Sequence, residues 1–292
     1  MAVALALLAA VAFATGTVLQ QRGALATPAG SDDARFLVQI LREPVWLAGA
    51  VLQAVGWVLQ AAALDHGPLV VVQALTTLSL VIALPIGVRI TGQEVGRRQI
   101  AAASGVVAGI VLFLTAGAPA GGTSNPSAAA WWTAGIVSVV LVVGVSGLGR
   151  SRQGPVRAAL FGTAAGIGFA LQAAVTKVFV GVVGSGVAAL LTTWSTYVLI
   201  ISALVGFVLQ QSALKTGALA PAMASSNAST LVFSAVFGIM VFDEELAHGG
   251  GRVALAVIGL AVAVLSVANL VVPDPAAADP TGRQSAYVPK AS

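Results

Sequence analysis

Residues 55–69 read VGWVLQAAALDHGPL, and residues 205–219 read VGFVLQQSALKTGAL. Nine of these fifteen positions match, at a constant offset of 206 − 56 = 150. Carried on without a gap, the same register pairs Gly56 with Gly206, Gln60 with Gln210 and Gly67 with Gly217. It goes on to pair Ser79 with Ser229, Glu94 with Glu244 and Gly109 with Gly259. Matches of Ala, Val and Leu are cheap in an apolar chain, but matched Gln, Gly and Glu are not. A period this long marks an internal structural repeat.

What is repeated is a set of membrane helices. Of the 292 residues, 58% are hydrophobic and only 8% charged, and the mean hydropathy is +0.97. A soluble domain of this length cannot hide so much apolar surface, so most of it faces lipid. At 1.5 Å of rise per residue, about 20 apolar residues cross a bilayer. Such runs fall at nine places: Ala2–Gln20, Val45–Leu64, Leu69–Arg89, Gln99–Ala116, Trp131–Leu148, Ala158–Phe179, Val187–Gln211, Ala218–Phe242 and Val253–Val272. The first has no positive flank and is too long for a signal-peptide core, so it is expected to stay as a helix. The stretches 22–43 and 118–130 read as linkers, and the Pro-rich tail 273–292 as a disordered cytoplasmic segment.

The first and sixth helices also correspond, through Gly16, Leu19 and Gln20 against Gly168, Leu171 and Gln172. The expected fold is therefore all-α and polytopic, with about nine transmembrane helices. Residues 1–117 form a first repeat, 118–150 a loop and connector helix, and 151–272 a second repeat. Equivalent helices are five crossings apart, an odd number, so the second four-helix unit lies upside down relative to the first. Inverted repeats of this kind build many secondary transporters, with the substrate site near the midplane.

Orientation follows from the basic residues. Numbering the gaps alternately, one side receives Arg22, Arg35, Arg42, Arg89, Arg97, Arg98, Arg150, Arg152, Arg157, Lys215, Arg283 and Lys290, and the other only Lys177 and Arg252. The Lys/Arg-rich side is cytoplasmic by the positive-inside rule, which puts the N-terminus outside and the C-terminus inside. Arg outnumbers Lys and Ala, Val and Gly dominate, the bias of a high-GC bacterium; the expected location is the bacterial cytoplasmic (inner) membrane. The scattered charge gives no nucleic-acid surface.

Polar side chains within spans are costly unless they face one another or a cavity. Thr76, Thr77 and Ser79 on the third helix align with Ser226, Asn227 and Ser229 on the eighth, near Pro85 and Pro221, while Gln60 aligns with Gln210. Together with Lys177 on the sixth helix, the residues Gln60, Thr76, Thr77, Gln210, Ser226 and Asn227 are the candidate substrate contacts. Their other reading is ordinary glue between helices; that of Lys177 is a snorkel to the interface. Glu94 and Glu244, at helix ends, are expected to gate or to cap a turn, and Asp65–His66 to form a solvated turn. The GxxxG patterns 105–109 and 162–166 read as close helix packing. Cysteine is absent, and no HExxH, GxSxG or clustered Asp stands at an interface. No catalytic residue, metal site or cofactor is expected, and an enzyme or a scaffold ranks below a transporter.

The recurring helix, short turn after Ala63–Leu64 or Ala213–Leu214, helix, then Glu94 or Glu244, resembles the drug/metabolite transporter (DMT) superfamily of EamA-like proteins. Nine helices with a connector look most like its NIPA-type branch of magnesium transporters, and Lys177 in QAAVTKVF resembles a lysine of that branch. The resemblance implies transport of a metabolite or amino-acid-like solute, or, in the NIPA-type reading, of magnesium or another divalent cation. Partners are then a small-molecule or ion substrate and the lipid bilayer, with room for a homodimer. Mg²⁺ usually takes one or more carboxylates, and no Asp or Glu lies deep within a span.

Overall fold

A computed structural model describes residues 1–26, 42–91, 95–123, 126–214, 216 and 219–270. Glu94, most of the 22–43 linker and the tail lie outside them. Among the described residues, helices α1 (Ala2–Ala26), α2 (Pro44–Asp65), α3 (Leu69–Thr77), α4 (Ser79–Thr91) and α5 (Arg97–Gly117) come first. They are followed by α6 (Ala128–Arg150), α7 (Gly154–Val183), α8 (Val187–Thr192), α9 (Trp194–Leu214), α10 (Leu219–Phe242) and α11 (Gly250–Leu270). Nine stretches of these helices are long and apolar enough to cross a membrane, and the chain is a multi-pass membrane protein. Two strands of two residues, β1 (Ala120–Gly121) and β2 (Glu244–Glu245), pair antiparallel to join the α5–α6 and α10–α11 loops.

Two runs read as single helices are interrupted. The third is broken at Leu78, whose N–H bonds back to Leu75 O at 3.1 Å. Just before the break, the hydroxyls of Thr76 and Thr77 both bond to Gln73 O, at 3.1 and 2.8 Å; such back-bonding loosens and bends a helix. Farther along, Pro85 deprives α4 of another N–H. The seventh run splits at Thr193, where the Thr196 hydroxyl and Tyr197 OH turn back to Leu190 O and Leu191 O. Conversely α1 and α7 are longer than the apolar runs alone indicate, reaching Ala26 and Val183.

Packing inverts the soluble pattern. Large side chains such as Trp132, Val143, Leu204 and Ile258 lie exposed on the outer face, while the interior is rich in Ala. Close contacts are made by glycine. In the α1–α2 contact Gly16 lies against Gly49, and in the α7–α10 contact Gly162 and Gly166 lie against Ala222 and the 226–230 backbone. Small residues let the backbones approach where no hydrophobic driving force separates helix from lipid.

The α5–α11 contact has a geometry of its own. A Cβ added at Gly109 would meet Ala263 N and Gly259 O, at 2.5 and 2.7 Å; one added at Gly259 would meet Phe113 N and Gly109 O, at 2.5 and 2.8 Å. With Gly105 opposite Ser266 and Gly117 opposite Ala256, contact runs up one helix as it runs down the other. The two helices are antiparallel and cross at two glycines.

Because the neighbours of Gly109 are backbone atoms that cannot rotate away, Gly109→Ala is expected to cost about 1–3 kcal/mol, read as a lower melting temperature in detergent. Gly144 has nothing within 4 Å of its would-be Cβ, so Gly144→Ala is expected to leave the melt unchanged. Equal effects from the two would mean that the crossing is not a tight contact.

A buried carboxylate at one end of the bundle

Pro68 precedes the first residue of α3 and offers no side-chain oxygen, so no local cap serves the helix N-terminus. The unpaired N–H groups there are instead met by Glu244, 175 residues away. Leu69 N donates to its Oε1 at 2.5 Å and Val70 N to its Oε2 at 3.0 Å. Lys177, from α7, donates its ammonium to Oε1 at 2.6 Å. The Glu244 side chain is 1% exposed and that of Lys177 14%. One carboxylate thus receives two backbone N–H groups and a cation in an apolar surround, where charge-assisted bonds are strongest and the positive end of a helix adds to them.

The local sequence makes room for this. Asp243, just before Glu244, has φ 53°, a left-handed turn that Asp tolerates better than most residues; it follows the end of α10. Gly122 on the facing loop has φ 99°, and a Cβ there would press on Glu244 Cγ; one at Gly238 would press on Val70 and on Glu244 itself. The paired strands β1 and β2 hold the loops in register, Ala120 opposite Glu245 and Gly121 opposite Glu244. Flanking bonds run from Thr123 N to Phe242 O and from Ala247 N to Gly117 O, both 2.6 Å.

Aromatic rings close the surround. The Lys177 ammonium lies 4.7 Å from the Phe242 ring centroid. Trp131 packs edge-on against Phe242, at 5.8 Å, and against Trp194, at 5.0 Å. Above Lys177 a pocket of about 430 Å³ opens between the α2–α3 turn and the 119–123 loop, lined also by Asp65, His66 and Pro68. Asp65 and His66 are 3.6 Å apart and half exposed.

The other described candidate residues do not line the pocket above Lys177. The side chains of Thr76, Thr77 and Asn227 bond along their own helices, Asn227 Nδ2 to Met223 O at 2.8 Å. Ser226 is buried, with its carbonyl against Gly166 in the α7–α10 contact. Gln210 reaches Met223 Sδ at 3.2 Å, and Gln60 is buried in α2. Lys177 and Glu244, assigned separate roles from the sequence, are brought together. Sequence reasoning missed Gln73 and Ser234 and used Gln172 only as the repeat partner of Gln20; all three are buried, each with a side-chain atom lacking a hydrogen-bond partner. Gln73 was legible as an amide inside an apolar run, but it has no matching Gln in the 150-residue register.

At the opposite end, α4 and α5 leave a groove of about 810 Å³ with almost wholly apolar walls, from Val111 to Pro85 and Arg89.

The chain is 30% identical over 247 residues to an uncharacterized protein of Corynebacterium glutamicum, a match covering 84% of this chain and 86% of that one. No protein-family model and no solved structure matches it.

Removing either member of a buried ion pair strands the other. Lys177→Met and Glu244→Ala are each expected to cost about 3–5 kcal/mol. The double variant is expected to cost well below their sum, because the stranded charge is gone. Unfolding in graded denaturant checks this; additive losses would refute the pairing.

Proposed function

The chain belongs to one family with the uncharacterized Corynebacterium glutamicum protein, and we propose that it is a secondary transporter. In this reading it moves a small metabolite or amino-acid-like solute across a bacterial inner membrane by alternating access. The observation that carries the proposal is the α5–α11 crossing. Gly109 and Gly259 are equivalent in the 150-residue register, and so are Phe113 and Ala263; the contact of Gly109 with Ala263 is mirrored by that of Gly259 with Phe113. Reciprocal contact between equivalent residues is what a two-fold axis produces. With the helices antiparallel, the axis lies in the plane of the membrane, which supports two inverted units joined by α6.

Such units can exchange conformations and open one central path alternately to either side. The basic-residue count supports an outside position for the Glu244 end. There the ion pair and the β1–β2 ribbon draw the loops shut, as an outer gate does. Thr77 and Asn227, equivalent in the repeat, then belong to the path that opens when the seal parts. The magnesium reading implied by the resemblance fits this site less well. Glu244 already spends its charge on Lys177 and two N–H groups, which leaves a hard cation little to bind.

The native chain has no cysteine, so introduced thiols report cleanly. Thr77→Cys and Asn227→Cys are expected to react with a membrane-impermeant maleimide from either side of oriented vesicles. A disulfide between Ala120→Cys and Glu245→Cys is expected to slow reaction from the Glu244 side about tenfold, by holding the closed population. Thiols that never react from either side would favour a scaffold; reaction from the two sides at once, unaffected by the disulfide, would favour an open pore. A reporter fused after residue 269 is expected to read as cytoplasmic, and the reverse would overturn the orientation.

A further inference from the structure

We propose that the Glu244 carboxylate occupies a binding site for the carboxylate of the transported solute, and that opening of this end exchanges one for the other. The inference rests on the transporter reading and narrows its substrate class.

The argument is one of charge and of where each part is mounted. The receiving groups are Lys177 on α7 and the N–H groups of Leu69 and Val70 on α3. Glu244 is carried by the separate α10–α11 hairpin and held in place by the ribbon with the 120–121 strand. If the hairpin swings outward, Glu244 passes into water and is solvated. Lys177 does not follow: it stays on the long α7 helix, its ammonium against the Phe242 ring or the space that ring leaves. A cation and two helix N-terminal donors are then stripped of their partner, the arrangement that buried charge tolerates least. Opening without a replacement is opposed, which suppresses leak. An incoming anion that supplies the lost interactions removes the opposition, so that the solute itself permits the opening.

The geometry selects the class of anion. Both oxygens of a planar carboxylate are engaged, Oε1 by Leu69 N and Lys177, Oε2 by Val70 N. A single Lys balances a single negative charge, where a phosphate brings more charge and a third oxygen with no donor shown for it. The approach is already present as the pocket of about 430 Å³ that Lys177 lines, a volume within the range of about 300–1,000 Å³ typical of small-ligand sites. Asp65, a carboxylate that lines that pocket, is half exposed and lies beside His66.

The test is chemical rescue. Purified Glu244→Ala protein is melted at constant ionic strength in sodium chloride, formate, acetate or phosphate, and with acetamide as the neutral isostere of acetate. Formate and acetate are expected to raise the melting temperature saturably by about 3 °C relative to chloride, with no shift from acetamide and none in Lys177→Met/Glu244→Ala. An Asp65→Asn background is expected to leave the rescue intact. Glu244→Gln, which keeps the side-chain volume, is measured in parallel should the alanine variant fail to fold. With Glu244 intact, acetate but not acetamide is expected to slow disulfide formation between Ala120→Cys and Glu245→Cys, because a bound carboxylate displaces the hairpin. Equal shifts from acetate and acetamide, rescue that survives loss of Lys177, a shift from phosphate alone, or cross-linking indifferent to acetate would each overturn the proposal. These are readings at one end of the bundle. They can fail while two-sided thiol access stands, or succeed while it fails, so the two proposals are separately exposed.

Discussion

A single carboxylate ties together parts of the chain that sequence keeps far apart. Glu244 closes α3 where the local sequence supplies no cap, neutralises the ammonium of Lys177, and fixes the direction in which the 243–249 loop leaves α10. Each bond depends on the others. Without Lys177 the carboxylate is an isolated charge in an apolar setting; without the α3 N–H groups it has one partner and no fixed orientation. Such networks are all-or-nothing because the low local dielectric that strengthens a complete set penalises an incomplete one. Gly122, Gly238 and the left-handed Asp243 leave space and direction for this side chain.

The remainder of the fold is held by closeness rather than by polarity. Gly, Ala and Ser on α1, α2, α5, α7, α10 and α11 bring backbones into contact, and the polar groups caught in those contacts mostly turn to their own helix. Ser225 and Thr230 on α10 do so, Thr230 reaching across to Gly166 O as well. The bundle therefore combines a close-packed body, holding buried amides such as Gln73 and Gln172, with a polar knot at its end.

Much of this was legible in the residues. The apolar runs located the spans because a bilayer demands about 20 such residues, and the repeat register singled out Glu244, Gly109 and Gly259 before any contact was known. What the sequence could not convey were relations across its length. Nothing near Pro68 says that its helix is capped from position 244, and nothing in QAAVTKVF says which acid Lys177 meets. The Thr76–Thr77 pair shows a local relation of the same kind. Both hydroxyls serve the same carbonyl of their own helix, Gln73 O, a preference that periodicity does not reveal. The split at Leu78 has the same origin, since an apolar run looks continuous whether or not its hydrogen-bond ladder is.

The glycine crossing of α5 and α11 is a close contact of two backbones at one point. Where two rods touch through bare backbone at a point, that point scarcely moves when they turn, and displacement grows with distance from it. The end of α11 at Gly250 is nine residues from Gly259, about 13 Å at 1.5 Å per residue. A turn of about 20° at the crossing carries that end sideways by nearly 5 Å on the same rise. Such a stroke exceeds the 2.6 Å length of the Lys177–Glu244 bond, while the contact at Gly109 is hardly disturbed. A turn at the glycine crossing would thus move most the end of α11 that lies nearest the buried carboxylate.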